Sequence, residues 1–246
     1  MTLLLLSMLG CGRRIHASSG DAEAWPELLA QAVDEQGLVD YALLKQERPT
    51  LEAYVHSLGQ VAPLEPDQAF ARGINAYNAF VLLGVLDQDI QGSVRDLSFG
   101  VFPAKGVAFF GGLRFQFQGS WVSLNKLETR GLRQSFDDPR VHAAINCASM
   151  GCPPLSPTLY TGEDLDQQLD AAMQRFVAER NRIEGDTAVF SSILDWFQED
   201  FVGPDGDPSG LCLALAPYDP AYAALHEQGC PHRFEPYDWS LNQQAP

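Results

Sequence analysis

Positive charge is scarce in this chain. Sixteen Lys and Arg stand against 32 Asp and Glu, for a formal net charge of −16. Phosphate binding needs cations that displace counterions, so nucleic acid is excluded as a partner. Compositional extremes are also missing. Apolar residues make up 46% and charged residues 20%, a core-forming mix that excludes a disordered chain, a fibre and a multi-span membrane protein. No internal repeat is present. The tight Cys-x2-Cys pair of most structural zinc sites is missing as well. His142, Cys147 and Cys152 could offer three ligands, but the expectation is no metal and no cofactor.

The remaining charge is uneven. Residues 163–246 carry 16 of the acidic and 4 of the basic side chains. This marks a solvated acidic surface on the C-terminal third, which favours solubility. With 246 residues, one domain is the expected count.

The leading apolar stretch, Met1 to Gly10, is too short for the roughly 20 residues that span a bilayer. It reads as the apolar region of an export signal. Met8-Leu-Gly-Cys11 resembles the lipobox of bacterial lipoproteins, although no basic segment precedes it and Met stands where Leu is usual. The resemblance implies lipidation at Cys11 and a periplasm-facing place in the bacterial cell envelope, with secretion as the alternative. Residues 1–11 are then a signal, 12–24 a flexible tether, and 25–246 the domain. Membrane contact would run through the lipid only. In an oxidising compartment, Cys147, Cys152, Cys212 and Cys230 allow three pairings. Cys212 with Cys230 is a plausible staple. Cys147 with Cys152 would close a small loop and silence or regulate a nucleophile at 147.

Apolar spacings of three and four predict two helices within 25–59 and a central one over 67–87, with Asp67 as its N-cap. Phe- and Gly-rich residues 93–120 suggest a hairpin of short strands. A further helix starts at Ser123 or Asn125. Val141–Asn146 reads equally as a buried strand or a helix start. Glu163 to Arg180 is amphipathic, Ala188–Phe190 is a short strand, and helices follow near 193–201 and 220–228. The fold class is α+β, a helix-rich single domain with a small antiparallel sheet.

The chemistry-bearing residues cluster in Asp138-Pro-Arg140-Val-His142-Ala-Ala-Ile-Asn146-Cys147-Ala-Ser149-Met-Gly-Cys152. Here an apolar element delivers His, Asn, Cys and Ser to a bend, where functional side chains often sit. A thiol attacks an acyl carbon once its pKa is lowered by a His, by cations or by a helix N-terminus. Lys126, Arg130 and Arg133 share one helix face nearby. The opposing expectation is a buried or bridged cysteine, since Cys usually packs as a small apolar group. Asn75 and Asn78, three apart, either brace loop backbone or donate to a substrate carbonyl. Glu128 either pairs with the cations or orients a catalytic group. Trp196, Asp200 and Phe201 read as core and helix-end residues.

Together these pieces resemble the DUF547 family, whose name records an undefined function. The matching segments are Ile74-Asn-Ala-Tyr-Asn-Ala79, Ser123-Leu-Asn-Lys-Leu-Glu128, Leu132-Arg133, Asp138-Pro-Arg-Val-His142, Asn146-Cys-Ala-Ser149, Gly151-Cys-Pro-Pro154, Asp195-Trp196, Asp200-Phe201 and Tyr237-Asp-Trp-Ser-Leu-Asn242. The resemblance puts weight on Glu128, the Asn-bearing helix and Cys147. Gly73 stands where the family usually has an aromatic. Thr129 stands where it often has His, which would weaken catalysis if that His is a partner.

Two functions remain. One is a lipid-anchored binding or scaffold module of the envelope, with a small-molecule or peptide ligand. The other is a thiol-dependent hydrolase or acyltransferase on an amide or peptide-like substrate. In it, Cys147, His142 and Glu128 are catalytic, and Asn75, Asn78, Arg140 and Ser149 bind substrate. The sequence leaves the oligomeric state open.

Overall fold

The structure, a computed structural model, describes residues 12–99 and 106–245. The expected signal and the lipidation site Cys11 lie outside them. Among the described residues, twelve α-helices and two three-stranded sheets make the α+β fold.

In the N-terminal half, α1 (Trp25–Ala32), α2 (Tyr41–Gln46) and α3 (Arg48–Leu58) pack beside α4 (Pro66–Asp87). Asp40 caps α2, its carboxylate accepting the Leu43 N–H at 2.8 Å, which satisfies an orphan donor of the first turn. α4 starts one residue earlier than expected. Glu65, not Asp67, is its cap, and Pro66 fills the first turn, where a missing N–H costs nothing. Ile74, Tyr77, Phe80, Val81 and Leu83 of α4 are all buried. This helix is long and apolar enough to cross a membrane, but its most apolar window is 78% buried inside the fold.

The sheets are mixed rather than antiparallel. β1 (Arg13–Arg14) runs parallel to β2 (Leu113–Phe117), which pairs antiparallel with β3 (Ser120–Val122). Gln118 and Gly119 turn that hairpin, both at positive φ, as a two-residue turn matched to strand twist requires. In the second sheet, β4 (Arg182–Glu184) is antiparallel to β5 (Thr187–Phe190), and β6 (His232–Phe234) runs parallel to β5. The parallel pairs arise because the two ends of the chain lie down beside the hairpins. For the same reason the expected tether is partly seated. Arg13 and Arg14 join a sheet, and Ile15 is 4% exposed within the core.

The C-terminal elements are α5 (Leu124–Lys126), α6 (Gln134–Phe136), α7 (Val141–Ala144), α8 (Leu165–Arg180), α9 (Ser192–Trp196), α10 (Gln198–Val202), α11 (Gly210–Leu215) and α12 (Ala221–His226). α5, α6 and the start of α8 pack on the core around α4, and the rest of α8 with α9, α11 and α12 creates a second hydrophobic cluster beside it. α7 belongs to both, since Val141 and Ala144 pack on the first and Ala143 on the second. The loop that leaves α7 therefore emerges at the seam between the two.

Candidate functional site

Residues 145–152 form a loop without regular structure, apart from an isolated bridge at Ser149, so side chains must satisfy its buried backbone. Asn78 of α4 does this from one side. Its Nδ2 donates to the Ala144 carbonyl at 3.0 Å, and its Oδ1 accepts the Asn146 N–H at 2.8 Å. Asn146 continues inward. It donates to the Pro153 carbonyl at 2.8 Å, and its Oδ1 accepts the Ala148 N–H at 2.8 Å and the Asn242 amide at 3.2 Å. Ala148 is held at φ +61°, a conformation a residue with a Cβ rarely adopts unaided. The C-terminal tail closes the other side, with Met150 and Gly151 donating N–H to the Ser240 and Asp238 carbonyls at 2.8 Å each. Gly151 permits that approach, because a Cβ there would lie 2.9 Å from the Tyr237 ring.

A cavity of about 290 Å³ opens beside this loop. Its wall is aromatic, formed by Tyr77, Phe110, Trp196, Phe197, Tyr237 and Trp239, with Glu128, Thr129, Arg133, His142, Cys147 and Cys152 among the remaining lining residues. Trp196 is 47% exposed. It lies 4.8 Å from Tyr237 and 5.6 Å from Trp239 between ring centroids, and Arg95 sits over Trp239 at 4.6 Å.

Three expected residues thus meet in one place, but not as a relay from thiol to imidazole to Glu128. Cys147 is disulfide-bonded to Cys152. The polar side-chain neighbour of both sulfurs is the Tyr237 hydroxyl, 3.0 Å from each. His142 points its Nε2 at Asp200 Oδ2, 2.6 Å away, and stacks on Phe197 at 4.2 Å. Among the described residues, no hydrogen bond joins the ring to either sulfur. Burial lowers the His142 pKa, outweighing Asp200, which raises it. The ring is therefore neutral at neutral pH and Nε2 donates. Burial opposes ionisation of Asp200, yet the bonds from His142 and Arg133 hold its carboxyl far below the usual range. Arg133 reaches it with Nε at 2.5 Å and a second nitrogen at 2.9 Å. Asp200 is the site-organising residue that the sequence hid. By sequence it reads as a helix-end residue, and its place in the Asp200-Phe201 segment of the family pattern is the one signal available.

Glu128 lies on Leu127–Arg133, which is wound as a π-helix. Such turns concentrate at functional sites. The wider winding also breaks up the expected cation stripe. Lys126 and Arg130 are exposed, and only Arg133 lines the cavity. The Glu128 partner is Tyr77, whose hydroxyl donates at 3.2 Å. Burial raises the Glu128 carboxyl above its ordinary range, and Tyr77 and Arg133 pull it back only in part. An acid raised in this way lends stability while it holds its proton. That stability is lost as pH climbs from the ordinary value through the raised one. Glu128→Gln keeps the shape and cannot ionise. It is expected to melt above the wild type at pH 7, with the gap closing toward about pH 4. Thermal scans across that range check this, and a variant that melts lower at pH 7 would contradict it.

The remaining expected residues lie elsewhere. Asn75 and Asn78 are buried braces, Asn75 holding the Tyr160 carbonyl at 2.8 Å and N–H at 2.9 Å. Neither lines this cavity, so the oxyanion role has no support in the geometry. Arg140 spends its guanidinium on Asp138, Asp166 and Asp170 at 2.8 Å each, away from the cavity. Ser149 is 1% exposed, and among the described residues its Oγ has no hydrogen-bond partner. Cys212 and Cys230 are joined by a disulfide inside the second core. Among the described residues, no cluster of His, Cys, Asp and Glu could hold a metal. At Gly73 a Cβ would come within 2.7 Å of the Leu132 side-chain end, so a larger residue there would require Leu132 to move. Thr129 lies on the cavity wall, so the missing His is missing at the site itself.

The family model described as "Protein of unknown function, DUF547" matches residues 61–177. The match supports that family, and it covers α4, Glu128, His142, Cys147 and Cys152. No curated protein and no solved structure matches the chain.

Proposed function

From the DUF547 match and the cavity together, we propose that this chain is an exported ligand-binding domain of the bacterial envelope, anchored by lipid at Cys11. The ligand is a flat apolar or aromatic group on a small molecule or peptide. One observation carries the reading: six aromatic side chains wall a single opening, with exposed Trp196 at the edge. Few convergent polar groups in an apolar concavity are the usual makings of a ligand site. Arg133 is neutralised by Asp200 and burial disfavours the ionised form of Glu128, so a neutral ligand suits the wall better than an ion.

The neutral fluorescent probe N-phenyl-1-naphthylamine tests the cavity. Saturable binding to the full chain is expected, weakened about tenfold in Trp196→Ala, which removes one stacking partner. As an exposed position, it should leave unfolding stability within about 0.5 kcal/mol. Failure to saturate, or equal affinity in the variant, would remove the reading. The anchor is checked separately: Cys11→Ser should move the chain from the detergent phase to the aqueous phase in bacterial extracts.

Thiol-dependent acyl transfer remains a second reading on one observation, the presence of Cys147 sulfur in the same wall as Glu128. It requires the Cys147–Cys152 bond to be open and the His142 Nδ1, which keeps its lone pair while Nε2 donates to Asp200, to come within reach of the Cys147 sulfur.

A further inference from the structure

The two disulfides of this chain sit in opposite surroundings. Cys212 and Cys230 are 0% and 1% exposed, packed among Leu211, Leu215, Tyr222 and Leu225. Cys147 and Cys152 line the aromatic cavity. Their two sulfurs also differ. Cys147 is half-buried, whereas Cys152 is 2% exposed. The hidden sulfur accepts the Cys147 N–H at 2.9 Å, a donor the exposed sulfur lacks, and the Tyr237 hydroxyl lies 3.0 Å from both sulfurs, within reach of Cys152 as it departs. Thiol–disulfide exchange needs an accessible sulfur for attack and a stabilised thiolate as leaving group. This pair has one sulfur of each kind.

We propose that Cys147–Cys152 is a thiol-exchange centre in which an incoming thiolate attacks Cys147 and Cys152 departs. The proposal rests on the cavity admitting a ligand, as above, and names that ligand as a thiol carried on an apolar or aromatic group, such as a cysteinyl peptide. In the first step the Cys147–Cys152 bond breaks, a bond forms between Cys147 and the substrate sulfur, and the electron pair goes to Cys152. Hydrogen bonds to a thiolate are charge-assisted, so the two donors strengthen as that charge develops. In the second step another substrate thiolate attacks the substrate sulfur of the mixed disulfide and releases Cys147. Two thiols are oxidised to one disulfide, the protein pair is reduced to two thiols, and the two protons lost by the substrates end on Cys147 and Cys152. Burial holds the Tyr237 phenol well above its ordinary range, so it remains a donor throughout.

The full chain treated with benzyl mercaptan, alkylated and peptide-mapped gives the direct test. Cys147–Cys152 should open at least about tenfold faster than Cys212–Cys230, because access and leaving-group stability set the rate. Dipyridyl disulfide then separates the two sulfurs. Cys147 in Cys152→Ser should react at least about tenfold faster than Cys152 in Cys147→Ser. Tyr237→Phe should slow opening several-fold and raise the pH at which Cys152 in Cys147→Ser becomes a thiolate, a readout that loss of packing alone does not move. Equal opening of the two disulfides, or preferential capture at Cys152, overturns the proposal. The wild-type mapping stands even if a serine variant fails to fold. Saturable N-phenyl-1-naphthylamine binding with an inert Cys147–Cys152 pair overturns exchange while leaving the binding reading intact. Loss of both removes the two together.

Discussion

Asn146→Ala is expected to lower the unfolding free energy by about 3–5 kcal/mol, because it strands three buried polar partners at about 1–3 kcal/mol each, with partial relief by relaxation. The Pro153 carbonyl loses its donor at 2.8 Å, and the Ala148 N–H and the Asn242 amide lose their acceptor. Asn146 is 5% exposed, so water does not replace these contacts without opening the loop. Releasing Ala148 from φ +61° offsets part of the loss, since a residue with a Cβ is strained there. Urea unfolding at constant m-value measures it. Asn146→Asp separates the two roles, keeping the acceptor for Ala148 but losing the donor to Pro153, and should fall between. A loss below about 1 kcal/mol for Asn146→Ala would mean the loop backbone finds other partners. The same variant should weaken probe binding, since the loop it frees carries Ile145, Cys147 and Cys152 of the cavity wall.

That network shows how far the sequence could be read. Spacings of three and four in α4 placed its buried face and put Asn75 and Asn78 on one side, because a helix fixes local neighbours. Which backbone each amide braces is a matter of chain segments 66 to 85 residues away, and no local pattern encodes that. Val141–Asn146 stayed undecided between strand and helix because the run is too short for a period to declare itself. It is a four-residue helix followed by an extended exit. The π-winding at Leu127–Arg133 was invisible for a related reason. A 3.6-residue template assigns Lys126, Arg130 and Arg133 to one face, and the wider turn sends Arg133 alone to the cavity. The cluster of His142, Cys147 and Glu128 was legible by residue type. Its wiring was not, since Asp200 and Tyr237 arrive from 58 and 90 residues downstream. The seating of Ile15 in the core was not legible, because one apolar side chain among polar neighbours has no period to expose it.

Asp200→Ala should be the second most costly change, about 3 kcal/mol at neutral pH, since removing one partner of a partly buried ion pair leaves the others uncompensated. Arg133 loses two hydrogen bonds and His142 loses the acceptor of its Nε2–H at 2.6 Å. The estimate sits at the lower end for buried pairs because the Asp200 and Arg133 side chains keep 25% and 23% of their exposure, so solvent screens part of the loss. The pH dependence fixes the mechanism. The Asp200 carboxyl is depressed in the folded state, so the stability it contributes is fully present above its unfolded pKa and is lost as pH falls through the folded one. The deficit of Asp200→Ala should therefore hold from pH 7 down to about pH 4, the ordinary aspartate value, and shrink below it as the wild-type carboxylate takes up a proton. A deficit that is flat to pH 2 would assign the loss to packing rather than charge. Asp200→Asn sharpens the distinction, because it retains the volume and one acceptor but no charge for Arg133. If the ion pair positions the cavity wall, both variants should weaken N-phenyl-1-naphthylamine binding, since Arg133, His142 and Phe197 all line it and Arg133 rests on the Phe197 ring at 4.6 Å.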